Sequence, residues 1–339
     1  MIGFRVDANE KIATGHLMRC IAIAAECRRR GEECLFLMAE EKEASRLKDR
    51  KIPYRVLHTQ WDDMESEIPA MKKVVEQEKL DWLVVDSYQV TACYLASLNR
   101  CVPVLYIDDM AEEKYQVSAL LHYGLCPDLT AYRERYRNAD TEILAGVEFI
   151  PLREEFLPEE SRQEREKSIL ITTGGTDPYD MTGKILLHCL EQEAFLGYQF
   201  HVIVGSMNQN EESLQNLALQ HSRIQLHKNV LNMSEYMRRC EVAVSAGGTT
   251  LFELCACGIP TVCFSFADNQ LEGTREMGKR NVMQYAGDAR QAEVDKKVVE
   301  QLLFFVQNRE AREVYADRMT KLVDGCGTSR IAALLMRKQ

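Results

Sequence analysis

Two glycine turns, one histidine and a few strand-end carboxylates are the residues whose types and spacing could do chemistry. Ser245–Gln270 reads SAGGTTLFELCACGIPTVCFSFADNQ. Gly247 and Gly248 let the backbone turn tightly and come close to a ligand. Thr249–Cys257 is apolar enough for a buried helix, which Gly258 and Pro260 would stop. The free N–H groups at such a helix start, with about half a positive charge from the helix dipole, suit an anion such as a diphosphate. Thr249 and Thr250 stand at that start. Glu253, one turn in, could accept from two neighbouring ribose hydroxyls. Thr250-x-x-Glu253 equally fits a capping box, which needs no ligand. Gly174-Gly175-Thr176, at the top of another strand, is a second candidate phosphate cradle. The amides of Asp268-Asn269-Gln270 suit sugar hydroxyls or an amide group, although the stretch alone is a polar loop.

A second constellation lies near the N-terminus. Ile12-Ala13-Thr14-Gly15-His16 puts a histidine at a helix start behind a turn. Histidine is the usual general base at neutral pH, and a histidine can also simply cap its own helix. Asp86-Ser87-Tyr88 and Asp108-Asp109 end strands. They could be metal ligands or the carboxylate pair of a glycosidase, but strand-end aspartates also cap the following turn, and that is the expectation here. No GxxxxGK[ST] occurs, which excludes a P-loop ATPase, and no GxGxxG follows the first strand, which argues against a dinucleotide oxidoreductase.

The elements that must position these residues repeat one grammar. Ile2–Val6 is an apolar strand, and His16–Arg30 a helix with Leu17, Cys20, Ile21 and Ala24 at helical spacing and a basic end before Gly31. Strands follow at Cys34–Met38, Tyr54–Leu57, Trp82–Val85 and Val104–Ile107, with helices at Glu40–Lys51, Met64–Lys79 and Thr91–Asn99. Strands alternating with helices predict a parallel sheet covered on both faces. Its ligands sit beyond the carboxyl ends of the strands, so Asp7, His16, Tyr88 and Asp108 share a rim. Pro158–Lys167 is charged, lacks large apolar residues and reads as a linker. The grammar then restarts with strands at Ser168–Thr172, Phe200–Val204, Ile224–Leu226, Val242–Ser245 and Ile259–Phe264. Helices at Val298–Phe305, Ala311–Leu322 and Ser329–Met336 close the chain.

The composition fits. A length of 339 residues suggests about two domains. A net charge of −10 argues against a broad grip on nucleic acid. No run approaches the ~18 apolar residues of a membrane span, and Met1 leads straight into a strand rather than a signal peptide. The 12 cysteines are scattered without a CxxC, as reduced small hydrophobes of a cytoplasmic protein would be.

Taken together, RVDANEKIATGHLMRC at Arg5–Cys20, VVDSY at Val84–Tyr88, IDD at Ile107–Asp109, LREEF at Leu152–Phe156, TGGTDP at Thr173–Pro178 and the Ser245–Gln270 stretch stand in the order of one family. The sequence resembles the UDP-sugar hydrolases of pseudaminic-acid biosynthesis, relatives of the MurG-type glycosyltransferases with the GT-B fold. The resemblance runs through about Gln270. It implies an α/β architecture of two Rossmann-like domains facing a cleft. Residues 1–157 would carry the catalytic histidine and the sugar side, and 168–339 the UDP. It implies that water replaces UDP at the anomeric carbon of a diacetamido-trideoxy sugar, with inversion, without a metal and without a cofactor. His16 matches the water-activating histidine, and Tyr88 and Asn269 match positions implicated at the sugar. Glu253 matches the ribose-binding glutamate. Gly15, the turns Gly174–Thr176 and Gly247–Thr250, and Gln270 would complete the substrate contacts. Ala13 stands where the family commonly has glycine. Two alternatives share the same nucleotide site: a GT-B glycosyltransferase with a separate acceptor, and a non-catalytic nucleotide-sugar-binding subunit, against which the presence of His16 speaks.

Overall fold

The computed structural model describes residues 1–8, 15–42, 44–111, 113–125, 129–159 and 164–337. Ile12, Ala13 and Thr14, and residues 160–163 of the expected linker, lie outside that set.

The strand β1 (Ile2–Val6) is buried at all five positions, as a strand sandwiched between helical layers must be. From it the chain alternates through α1 (Gly15–Arg29), β2 (Cys34–Met38), α2 (Ser45–Asp49), β3 (Tyr54–Val56), α3 (Ile68–Glu78), β4 (Trp82–Asp86), α4 (Ala92–Asn99), β5 (Val104–Ile107), β6 (Ala119–His122), α5 (Leu129–Arg135) and β7 (Glu142–Ala145). These strands form one parallel sheet in the order β3-β2-β1-β4-β5-β6-β7. The second half runs β8 (Glu166–Thr172), α6 (Met181–Leu190), β9 (Gln199–Ile203), α7 (Glu211–Gln220), β10 (Ile224–His227), α8 (Met233–Arg239), β11 (Cys240–Ala246), α9 (Thr250–Cys257), β12 (Thr261–Ser265), α10 (Asp268–Lys279), β13 (Gln284–Asp288), α11 (Val294–Gln307) and α12 (Arg309–Leu322). Its sheet is also parallel, ordered β10-β9-β8-β11-β12-β13.

Both orders reverse direction once, between β1 and β4 in the first sheet and between β8 and β11 in the second. At such a reversal the two flanking loops diverge to opposite faces and leave a crevice at the carboxyl ends of the strands. Asp7 and Asp86 stand at the first crevice. Gly174 and Gly247 stand at the second.

The chain forms two compact units, Met1–Glu154 with Cys326–Gln339, and Glu155–Gly325. The last helix, α13 (Gly327–Leu335), therefore departs from the expected span 168–339. It buries Ile331, Ala332, Leu334 and Leu335 and packs on α1. Thr328 Oγ1 donates to the Leu152 carbonyl, and Ser329 Oγ donates to Glu26. An apolar stripe on a closing helix does not disclose which sheet it returns to.

Several elements differ from the sequence expectation. The helix expected at Glu40–Lys51 is confined to Ser45–Asp49. The strands Ala119–His122, Glu142–Ala145 and Gln284–Asp288 were not anticipated; the last has only two buried residues and no apolar run. Asp268-Asn269-Gln270 is not a loop but the first turn of α10.

In the second unit, Ile169, Ile171, Phe200, Val242, Val244 and Phe264 from the sheet pack against Leu302 and Phe305 of α11. In the first, the buried cation Arg5 on β1 reaches Asp7 at 2.5 Å and forks onto Glu67 at 2.7 and 2.9 Å. Tyr94 and Thr59 donate to the same glutamate. A buried guanidinium is tolerated only when so paired.

Candidate active site

The crevice of the first unit holds His16, which is 9 % exposed although it stands on the first turn of α1. Its Nδ1 lies 2.6 Å from Asp86 Oδ1. Burial raises the Asp86 carboxyl, but the Arg19 guanidinium and His16 hold it down to about 2, so it is ionised and can only accept. The proton of that short contact therefore sits on Nδ1. Nε2 makes no hydrogen bond among the described residues.

Arg19, one turn further along α1, binds both oxygens of Asp86, at 2.5 and 2.6 Å. It also reaches Asp109 at 2.9 Å and donates to the Tyr123 hydroxyl. The Tyr88 hydroxyl donates to Asp109 at 2.9 Å, and the Tyr88 ring meets the His16 ring edge-on at 4.5 Å. Tyr88 is 58 % exposed. Burial of its hydroxyl and the Asp109 charge push its phenol up to about 12, which keeps it a neutral donor. Six side chains from α1 and the ends of β4, β5 and β6 thus form one connected network.

Beside this network Asp7, His16, Asp86, Ser87, Tyr88 and Gln89 line a pocket of about 30 Å³. That is room for one water molecule, which needs some 10–15 Å³ of accessible volume and two to four polar partners.

The expectation that the strand-end aspartates are turn caps holds for one of them and fails for two. Asp108 is wholly buried and accepts from the Ala111 N–H and the Tyr132 hydroxyl, a capping role. Asp86 and Asp109 bind His16, Arg19 and Tyr88 instead, because their strands end at the crevice. Among the described residues no group of three or more His, Cys, Asp or Glu side chains is placed to hold a metal ion. Gly15 is exposed next to His16. Sequence reasoning passed over Arg19, which stands among helix residues with no local signal, and over Arg5.

In the second unit the two glycine turns flank β8 and β11. A Cβ on Gly247 would come within 2.7 Å of Gln270 Cβ and 2.8 Å of Thr274 Cγ2, so glycine there lets α10 approach. Gly248 has φ +141°, a conformation that favours glycine. Thr249 precedes α9 with αR backbone and no side-chain capping bond. Thr250 is the first helical residue, so the capping box with Glu253 is not formed in the expected register. Glu253 is half-buried one turn in. The Gly174–Gly175 turn has φ +77° at Gly174 and is braced by Gly205, where a Cβ would lie 2.2 Å from the Gly174 carbonyl oxygen. Gly174 and Gly175 are exposed and Thr176 half-buried. The helix beyond them is already capped: Asp177 accepts from the Met181 and Thr182 N–H groups, both at 2.9 Å. Any anion there would meet the turn backbone and not the start of α6. Asn269 is exposed and makes no side-chain hydrogen bond among the described residues, whereas Gln270 Oε1 accepts from the Phe266 N–H at 3.0 Å.

Comparison with known proteins bears on this arrangement. Residues 168–324 match the family model described as glycosyltransferase family 28 C-terminal domain. The chain is 24% identical over 209 residues to a Helicobacter pylori protein named pseudaminic acid cytidylyltransferase and UDP-2,4-diacetamido-2,4,6-trideoxy-beta-L-altropyranose hydrolase, covering 58% of this chain and 36% of that protein. It is 22% identical over 272 residues to an uncharacterized protein of Methanocaldococcus jannaschii, covering 77% of this chain and 54% of that one. The chain thus spans about half the length of that relative and less of the Helicobacter one. The crystal structure of Acinetobacter baumannii MurG superposes with a TM-score of 0.68 at 15% identity, covering 98% of both chains. Two parallel α/β units with this likeness make the fold GT-B. No helix among the described residues is long and apolar enough to cross a membrane.

Proposed function

We propose that this chain hydrolyses a UDP-linked diacetamido-trideoxy sugar at its anomeric carbon, releasing UDP and the free sugar. The observation that carries this is the His16–Asp86 pair beside a pocket of about 30 Å³. A water fits there. His16 Nε2 takes a proton from the water as its oxygen attacks the anomeric carbon. The bond from that carbon to the diphosphate oxygen breaks, and UDP leaves with the electron pair, which inverts the centre. A positioned base is typically worth about 10²–10⁴-fold. UDP is a good leaving group, so the larger demand is a cradle for the charge on the departing diphosphate.

The second unit supplies that cradle. The exposed N-terminal turn of α9, Gly247–Thr250, takes the diphosphate, with Glu253 on the ribose and the Gly174–Thr176 turn alongside. Tyr88, Asn269, Gln270 and Gly15 face the sugar. In this assignment residues 1–157 carry the base and residues from 168 onward the nucleotide, with no metal or cofactor. Support comes from the match of residues 168–324 to a glycosyltransferase domain and from the hydrolase name of the Helicobacter relative. The same domain match favours a second reading, transfer of the sugar to an acceptor.

The test is incubation with a panel of UDP-sugars, with and without candidate acceptors and with EDTA, following UDP and free sugar by NMR. UDP and free sugar in equal amounts without an acceptor, and undiminished by EDTA, is the expected result. Turnover only when an acceptor is present would replace hydrolysis by transfer.

A further inference from the structure

Asp86 is 1 % exposed. A buried carboxylate next to an imidazole ordinarily draws a proton onto the ring, because the resulting ion pair relieves an uncompensated charge. A ring already protonated cannot serve as a base. Here another counter-charge is present. Arg19 Nε and Nη2 lie 2.6 and 2.5 Å from the two oxygens of Asp86, a bidentate fork. The guanidinium also reaches Asp109 Oδ1 and Oδ2, at 2.9 and 2.8 Å, and the Tyr123 hydroxyl. Arg19 Nη2 stands only 2.9 Å from His16 Nδ1, where it opposes a positive charge on the ring.

We propose that Arg19 is a positioning residue, the standing counter-ion of Asp86 that leaves His16 uncharged and free to accept a proton. This rests on the assignment of His16 as the base. Among the described residues the groups facing the ring are few. Asp86 and Tyr88 come from the end of β4, and Arg19 lies on α1 itself. Asp7 lies across the pocket, but Arg5 and the Ala39 N–H hold its two oxygens. Asp109 and Tyr123 act through Arg19. Of these, Arg19 is the cation. Without it, Asp86 and Asp109 would present two carboxylates near the imidazole with no guanidinium to offset their charge.

The test is a proton-uptake titration of the His16 imidazole by NMR, on the whole ligand-free chain, assigned with His16→Asn. In Arg19→Met the midpoint should rise by about 1–3 pH units, the range an unopposed neighbouring charge produces. Arg19→Lys keeps the charge without the fork and should fall between parent and Met variant. Asp109→Asn commits the guanidinium to Asp86 and should lower the midpoint. A folded Arg19→Met chain in which His16 titrates as in the parent overturns the proposal. If Arg19→Met fails to fold, Asp109→Asn decides, and an unchanged or raised midpoint overturns it. No substrate is used. A wrong assignment of the base would instead show as normal turnover in His16→Asn.

Discussion

The carboxylate of Asp86 accepts from the His16 ring and orients it, so in the proposed role Asp86 bears on orientation and His16 on proton transfer. In Asp86→Asn the amide can no longer hold both the imidazole N–H and the Arg19 fork. Turnover should fall by about 10²-fold or more while affinity for the nucleotide-sugar stays within a few-fold, as expected when an interaction matters mainly in the transition state. Steady-state kinetics on the substrate identified by the UDP-sugar panel checks this, and equal loss of affinity would point to a binding role instead. Glu253→Ala should weaken UDP binding by about tenfold or more in calorimetric titration, the loss expected when a charged hydrogen-bond acceptor is removed. Unchanged affinity with lower melting would return Glu253 to a helix cap. At this scale the sequence marks candidate residues where they break its apolar pattern. His16, Tyr88 and the glycine turns stand out because they interrupt apolar runs. Arg19 does not, since an arginine on a helix normally faces solvent. Its partners arrive from three separate strand ends, so only the folded sheet shows that it is enclosed. The same blindness made Asp86 and Asp108 look alike.

Helix α9 is organised at both ends. Its start is exposed at Gly248 and Thr249, and its last turn is held by Arg165. That guanidinium donates to the carbonyls of Met237 and Cys240 at 2.8 and 2.7 Å, and to those of Cys257 and Gly258 at 2.7 and 3.0 Å. A cation at the carboxyl ends of α8 and α9 meets the negative ends of two helix dipoles as well as their unpaired carbonyls. Arg165→Met should destabilise the protein by about 2 kcal/mol, read from denaturant unfolding, and Arg165→Lys should recover only part, because one ammonium cannot reproduce the fork. Full recovery by lysine would make the effect one of charge alone. Strands buried on both faces were readable in Ile2–Val6 and Trp82–Asp86, but the equally buried Ala119–His122 escaped. Of the edge strands, Tyr54–Val56 and Ile224–His227 were readable, whereas Gln284–Asp288 at the sheet margin carries Gln, Gly and Asp, which no hydrophobic pattern marks. The linker residue Arg165 looked solvated because five carbonyls from distant segments cannot be seen in its neighbours.

The two units respond to acid through different groups. In the second, His201 is 1 % exposed and shares a 3.0 Å contact with His227. Burial, then the neighbouring His227 and Arg239, hold His201 down at about 4 against 6.5 for a free histidine. Between those values the unfolded chain binds a proton that the folded chain does not, so stability declines as pH falls from about 6.5 to 4 and levels below. Asp86 acts lower: its contribution is whole above 3.8 and fades as pH drops towards 2. Thermal melting across pH 4–6.5 should therefore fall less steeply in His201→Asn than in the parent, and equal slopes would remove His201 from the account. Deleting Cys326–Gln339 should destabilise the first unit selectively, on the order of 5 kcal/mol for the apolar side chains that α13 buries. Hydrogen exchange resolves the two units, and uniform loss of protection would contradict their separation. That closing helix has a consequence during synthesis. Domains usually fold in the order in which they leave the ribosome. Here the unit whose chain emerges first lacks a helix until residues 327–335 are translated, after Glu155–Gly325 has emerged whole. The second unit can finish first, and for that interval the nascent chain presents the bare flank of α1 to whatever in the cell binds exposed apolar surface.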